Sequence, residues 1–184
     1  MNKRLSTFVI LIAIASNVLS QVSYRFNNFT IRDGLSQSTI TSIIQDRIGT
    51  LWIGTQDGLN RFDGQQFDVY TADNTKGLSS SYIYSSAKLH NGNLCFGTSD
   101  GLVLFSAITE TFSSILSEEE NNIAVESITG MSDGTIWFGS TKYGLTSYNP
   151  ASKKIGYNYG NKQSNRIHYL KDVSESKLLV SFED

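Results

Sequence analysis

The sequence predicts an all-β chain: a partial β-propeller, an open arc of about three and a half four-stranded blades that follows an N-terminal signal peptide. Three observations predict it. A repeat of 42 to 43 residues runs through the chain. Each repeat consists of short runs of β-branched and aromatic residues, broken by Asp-Gly or Asn-Gly turns. No stretch after the leader sustains a helical period.

The repeat is read in columns. Trp52, Cys95, Trp137 and Leu179 occupy one column, at successive gaps of 43, 42 and 42 residues. The small residues Gly54, Gly97, Gly139 and Ser181 follow at the same gaps. Turn glycines come next, at Gly58, Gly101 and Gly144, each before a Leu, and an aromatic closes each unit at Phe62, Phe105 and Tyr148. Upstream, Ile40, Ile83, Val125 and Ile167 keep the phase. A period of this length means a solenoid, a propeller or an array. Four β-type runs per repeat favour the propeller blade. In the first unit these runs are residues 40–45, 51–55, 59–62 and 67–71.

Column chemistry says how blades should stack. Runs such as Leu-Trp-Ile-Gly are nearly continuous in apolar character, as strands buried on both faces are. Trp52 and Trp137 are large enough to fill the wedge between neighbouring blades. The glycine after each lets the next sheet approach closely. Cys95 in a Trp column reads as a small buried hydrophobe. The expected organisation is a signal peptide at 1–20, a lead-in outer strand at 21–36, blade one at 37–76, blade two at 77–120, blade three at 121–162 and a truncated fourth blade at 163–184. The lead-in is the strand that would close the ring in a full propeller. The arc as given is expected not to close.

Residues 1–20 read as a secretory leader: a basic start at Lys3 and Arg4, an apolar run, and modest side chains before Gln21. The expected location is exported and periplasmic. Left uncleaved, the same segment would be an N-terminal membrane anchor. The formal net charge is −2, with 15 basic and 17 acidic residues, so no basic stripe argues for nucleic acid. A single Cys cannot form an internal disulfide, so the fold must rest on its core.

The segment IIQDRIGTLWIGTQDGLNRFDGQQFDVY resembles the two-component regulator propeller repeat. Its Asp and Gly turn, its Leu-Trp-Ile-Gly-Thr and its Gly-Leu carry the resemblance. The likeness extends over residues 23–184 and is closest in the first blade. YRFNNFTIRDGLSQSTI resembles the usual opening of such domains. The resemblance implies the periplasmic sensor region of a hybrid two-component histidine kinase from glycan-degrading bacteria, here without kinase or DNA-binding parts. It implies ligand sensing, with an oligosaccharide as ligand. The implied partners are that glycan and the remaining blades of a parent receptor, or another copy of the chain. The alternatives are a truncated gene product with no function of its own, and a periplasmic propeller enzyme, a lyase or hydrolase.

No nucleophile–base pair and no zinc or calcium spacing stands out, so catalytic, cofactor and metal residues are expected to be absent. Ligand contacts are expected from loop and strand-start residues that break the repeat: Tyr82, Tyr84, Lys142, Tyr143, Arg166 and His168. Aromatic faces suit sugar rings, and Arg suits acidic sugars. The nine repeat residues Trp52, Gly54, Gly58, Cys95, Gly97, Gly101, Trp137, Gly139 and Gly144 are expected to be structural.

Overall fold

A computed structural model describes residues 24–115, 123–159, 166–174 and 177–182. The leader at 1–20 lies outside the described residues. Fourteen strands are described, in four sheets. The first sheet is β1 (Ile40–Gln45), β2 (Leu51–Thr55), β3 (Gly58–Phe62) and β4 (Phe67–Tyr70). The second is β5 (Ile83–Lys88), β6 (Leu94–Thr98), β7 (Gly101–Ser106) and β8 (Thr111–Ser114). The third is β9 (Val125–Gly130), β10 (Ile136–Ser140), β11 (Gly144–Asn149) and β12 (Lys154–Tyr159). The fourth holds β13 (Ile167–Ser174) and β14 (Lys177–Phe182). All pairings are antiparallel between sequence neighbours. These are blades, and their first strands β1, β5, β9 and β13 lie next to one another along the inner side of the arc.

Three buried clusters fill the gaps between consecutive blades. Trp52, 1% exposed, sits between the first and second with Leu78, Ile83, Leu94, Phe96 and Phe105. Its ring lies 4.5 Å from Phe105 and 5.7 Å from Tyr70, centroid to centroid. Cys95 sits between the second and third with Val125, Ile136, Phe138 and Tyr148. Trp137 faces the two-stranded fourth sheet and is only half-buried, against Ile167, Leu170 and Leu178.

The glycine after each Trp-column residue is where adjacent sheets come closest. A methyl on Gly97 would stand 2.2 Å from the Val125 carbonyl oxygen, and one on Gly139 2.6 Å from Ile167 Cβ. Only a residue without Cβ allows that approach. The turn glycines have another duty: Gly58 and Gly101 take φ of 136° and 98°, the left-handed side that glycine tolerates. Each accepts a chain from the next connection, since the Gly58 N–H donates to Ser81 O and the Gly101 N–H to Ile123 O. Asp46 organises the first hairpin. Its carboxylate accepts from the Ile48 and Thr50 N–H groups and from Trp52 Nε1 at 3.1 Å.

The lead-in differs from its expectation as an outer strand. Residues 24–30 form no strand, and Ile31–Asp33 make a short 3-10 turn capped by Thr30. A strand needs an edge that offers a ladder, and here the segment is exposed apart from the ring of Phe29. Phe29 packs on Phe62 at 4.8 Å and Phe67 at 5.7 Å.

Candidate functional site

Every inner strand contains an extra residue at the same place, one after its first paired residue, and β13 has a second at Val173. Between β1 and β2, Ile40 pairs with Thr55 and Ser42 with Gly54, so Thr41 has no opposite number. The same slip leaves out Tyr84 in β5, Glu126 in β9 and His168 in β13. A β-bulge bends its strand and re-aims the extra side chain. Here it does so at the same column of each inner strand. Thr41, Tyr84, Glu126 and His168 all line one groove of about 330 Å³ along the inner side of the arc, with Ser85, Ser86 and Tyr169 among the other lining residues.

The groove mixes polar, aromatic and aliphatic side chains, with Ile43, Ile128 and Leu170 among its lining. Tyr82, just ahead of β5, stacks on Tyr84 at 4.4 Å between ring centroids and 30° between planes. Burial pushes the Tyr84 phenol up from its usual value, Tyr82 and the Glu126 carboxylate add to the rise, and Arg166 opposes it. Glu126 and Arg166 form a forked ion pair: Arg166 Nε donates to Oε2 and Nη2 to Oε1, each at 2.5 Å. The Glu126 side chain is 10% exposed and that of Arg166 is 51% exposed. The better-covered partner is therefore the acid.

Of the six residues expected from the sequence, Tyr84 and His168 line the groove directly. Tyr82 joins through its stack and Arg166 through Glu126. Lys142 and Tyr143 lie in the β10–β11 turn, where Lys142 Nζ stands 5.0 Å from the Tyr143 ring centroid. That turn sits near the start of β9, since the Thr141 N–H donates to Ala124 O. The two pair with each other and do not line the groove. Thr41 and Glu126 were not expected. Their signal was present: they stand in the same column as Tyr84 and His168, at gaps of 43, 42 and 42 residues.

Elsewhere, Cys95 is fully buried and burial pushes its thiol far up, so it is held neutral and unreactive. Among the described residues, no three His, Cys, Asp or Glu side chains come together as a metal site. No helix among them is long and apolar enough to cross a membrane.

The turn chemistry of the first blade, from the left-handed Gly34 through β1 and β2 to the second turn, has a family match. Residues 34–57 match the two-component regulator propeller. The matched residues cover the inner hairpin of the first blade, bulge included. A 48-residue stretch, 26% of the chain, is 56% identical to Histidine kinase P4 of Formosa agariphila, of which it covers 4%. The fold is similar to the extracellular domain of a hybrid two-component system from B. thetaiotaomicron, with a TM-score of 0.69 at 22% identity over 84% of this chain. The chain spans 23% of that structure. It is also similar in fold, at 14% identity and a TM-score of 0.56, to virginiamycin B lyase from Staphylococcus aureus, matching 71% of this chain and 44% of the lyase. In fold the chain thus resembles the extracellular domain of a hybrid two-component system, and also a lyase.

Proposed function

We propose that the chain is ligand-sensing propeller from the exported, periplasmic part of a two-component signalling receptor, and that its ligand is an oligosaccharide. The observation that carries the reading is the bulge column. Four consecutive blades each divert one side chain out of the ladder into a shared groove, and the four differ in chemistry. A residue needed only for stacking would repeat in kind. Around them are hydroxyls and a tyrosine stack, the groups that meet a sugar's hydroxyls and its apolar ring face.

The site is read as one for binding without catalysis. Both oxygens of its carboxylate are already engaged by one guanidinium, which leaves Glu126 poorly suited to act as a general base. In this reading the partners are the glycan and the remaining blades of the receptor. The test is a glycan array probed with the full chain and with Tyr84→Ala. Saccharide binding that falls about tenfold or more in the variant is expected. Binding that survives Tyr84→Ala unchanged, or no glycan binding at all, would overturn the assignment.

A further inference from the structure

The bulge column is flanked by columns that vary less. Before it stand Ile40, Ile83, Val125 and Ile167, and after it Ser42, Ser85 and Ser127, with Tyr169 in the fourth sheet. Two of the serines are tied to blade stacking. Ser85 Oγ donates to Val125 O at 3.3 Å and Ser127 Oγ to Ile167 O at 2.8 Å, each reaching the next blade's inner strand. The bulged residues between them line the groove.

Building on the saccharide reading, we propose that this column sets specificity and selects an uncharged sugar over a uronate or sulfated one. Glu126 is the acceptor for the sugar's hydroxyls, and Arg166 is the positioning residue that holds it. The groove lining includes Glu126 and no Lys or Arg. The nearby guanidinium of Arg166 is committed to both oxygens of Glu126. A carboxylate offers about four lone-pair sites, and the fork uses two. The other two suit the paired hydroxyl donors of a neutral sugar. An anionic sugar brings acceptors to a group that has no hydrogen to give. Arg166 keeps three N–H groups outside the fork, but its charge is offset by the Glu126 carboxylate it holds, so an anionic sugar meets a paired cation beside a carboxylate and no net positive charge to draw it in. Arg166, which the sequence alone assigned to acidic sugars, is redirected by the ion pair.

A second observation fits the same ligand. Thr41 Oγ1 is buried with no hydrogen-bond partner among the described residues. Thr41 lines the groove, and a rotation about its Cα–Cβ bond would turn the covered hydroxyl toward a sugar hydroxyl, which both donates and accepts.

The experiment is isothermal titration of the full chain with two probe sets. One is neutral gluco-, xylo- and galacto-oligosaccharides; the other is oligogalacturonates and sulfated galacto-oligosaccharides. The expected result is binding of a neutral probe, at least tenfold tighter than any acidic one. Glu126→Gln should weaken it about tenfold, the loss of a charge-assisted acceptor. Arg166→Lys, which keeps the charge and loses the fork, should weaken it by less. If Glu126→Gln also lowers the melting temperature, Thr41→Val carries the test, with weaker neutral-sugar binding and an unchanged melt. Tighter binding of the acidic set, equal binding of both sets, or neutral binding indifferent to both Glu126→Gln and Thr41→Val would overturn the inference and leave the saccharide reading standing. Binding of neither set would overturn the saccharide reading itself.

Discussion

Replacing Gly97 by Ala probes the contact on which blade stacking depends. Gly97 sits in β6 where the second blade meets the third, and its φ is not in the left-handed region. Alanine is therefore acceptable to the backbone, and by itself gains about half a kcal/mol in chain entropy. Space is the obstacle. The new Cβ would stand 2.2 Å from Val125 O, 2.5 Å from Ser85 Oγ and 2.9 Å from Val125 Cγ1. A carbon and a carbonyl oxygen approach no closer than about 3.3 Å even in favourable contacts. The sheets must separate by about 1 Å, because the obstructing oxygen belongs to backbone. A gap of that order forfeits a quarter to a half of each facing dispersion contact. The contacts at risk are those of Cys95, Val125, Ile136 and Phe138 in the cluster between these blades. Overpacking usually costs 1–3 kcal/mol, and a backbone obstruction places Gly97→Ala near about 3 kcal/mol. That is roughly 6–12 °C in melting temperature for a chain of this size. Gly134→Ala is the control, since nothing lies within 4 Å of its added Cβ and only its φ of 86° opposes the change. Its cost should be about 1 kcal/mol. Urea unfolding followed by Trp fluorescence compares the two. Equal losses, or a larger loss at Gly134, would refute the close approach of blades at the post-Trp glycine.

Cys95 should resist thiol reagents until the chain unfolds, as timed alkylation with and without urea will show. Its folded pKa is raised, whereas an unfolded thiol titrates near pH 8.5. Stability from the neutral buried thiol is thus complete below about pH 8.5 and is lost as pH rises beyond it, by up to about 1.4 kcal/mol per unit. Cys95→Val should flatten that alkaline slope in urea melts taken from pH 7 to 10. Asp46→Ala leaves the buried Thr50 N–H and Trp52 Nε1 without their acceptor and should cost about 2 kcal/mol by urea unfolding. Lys153 holds a φ of 54° in the β11–β12 turn, so Lys153→Gly should raise stability by about 0.5 kcal/mol, read from the same denaturation curve.

The blades were legible because two periods coincide in the sequence. Alternation within strands and glycine turns between them mark each unit, and the column spacing marks the repeat. Trp52 and Cys95 could be placed between blades from their column alone, and both are buried there. The bulges were not legible for a simple reason: an extra residue present in every blade leaves the period unchanged. Thr41 and Glu126 therefore stayed hidden, while their column mates Tyr84 and His168 stood out by type. The Glu126–Arg166 fork joins residues 40 positions apart and falls within no local pattern. The lead-in was read as a strand because Phe26-Asn27-Asn28-Phe29 matches an outer-strand pattern. Pattern supplies the alternation but not the edge to pair with, and Phe29 packs its ring on Phe62 and Phe67 instead.

The account's central claim is that the bulge column of the inner strands is where ligand binds. Amide chemical-shift mapping of the isotope-labelled chain, titrated with a neutral oligosaccharide that binds, tests it most directly. The predicted result is a set of shifts centred on Thr41, Tyr84, Glu126 and His168, with smaller changes at Tyr82 and Arg166. Shifts centred instead on the hairpin turns at His90, Asn91 and Asp133, which line a separate groove, would contradict it.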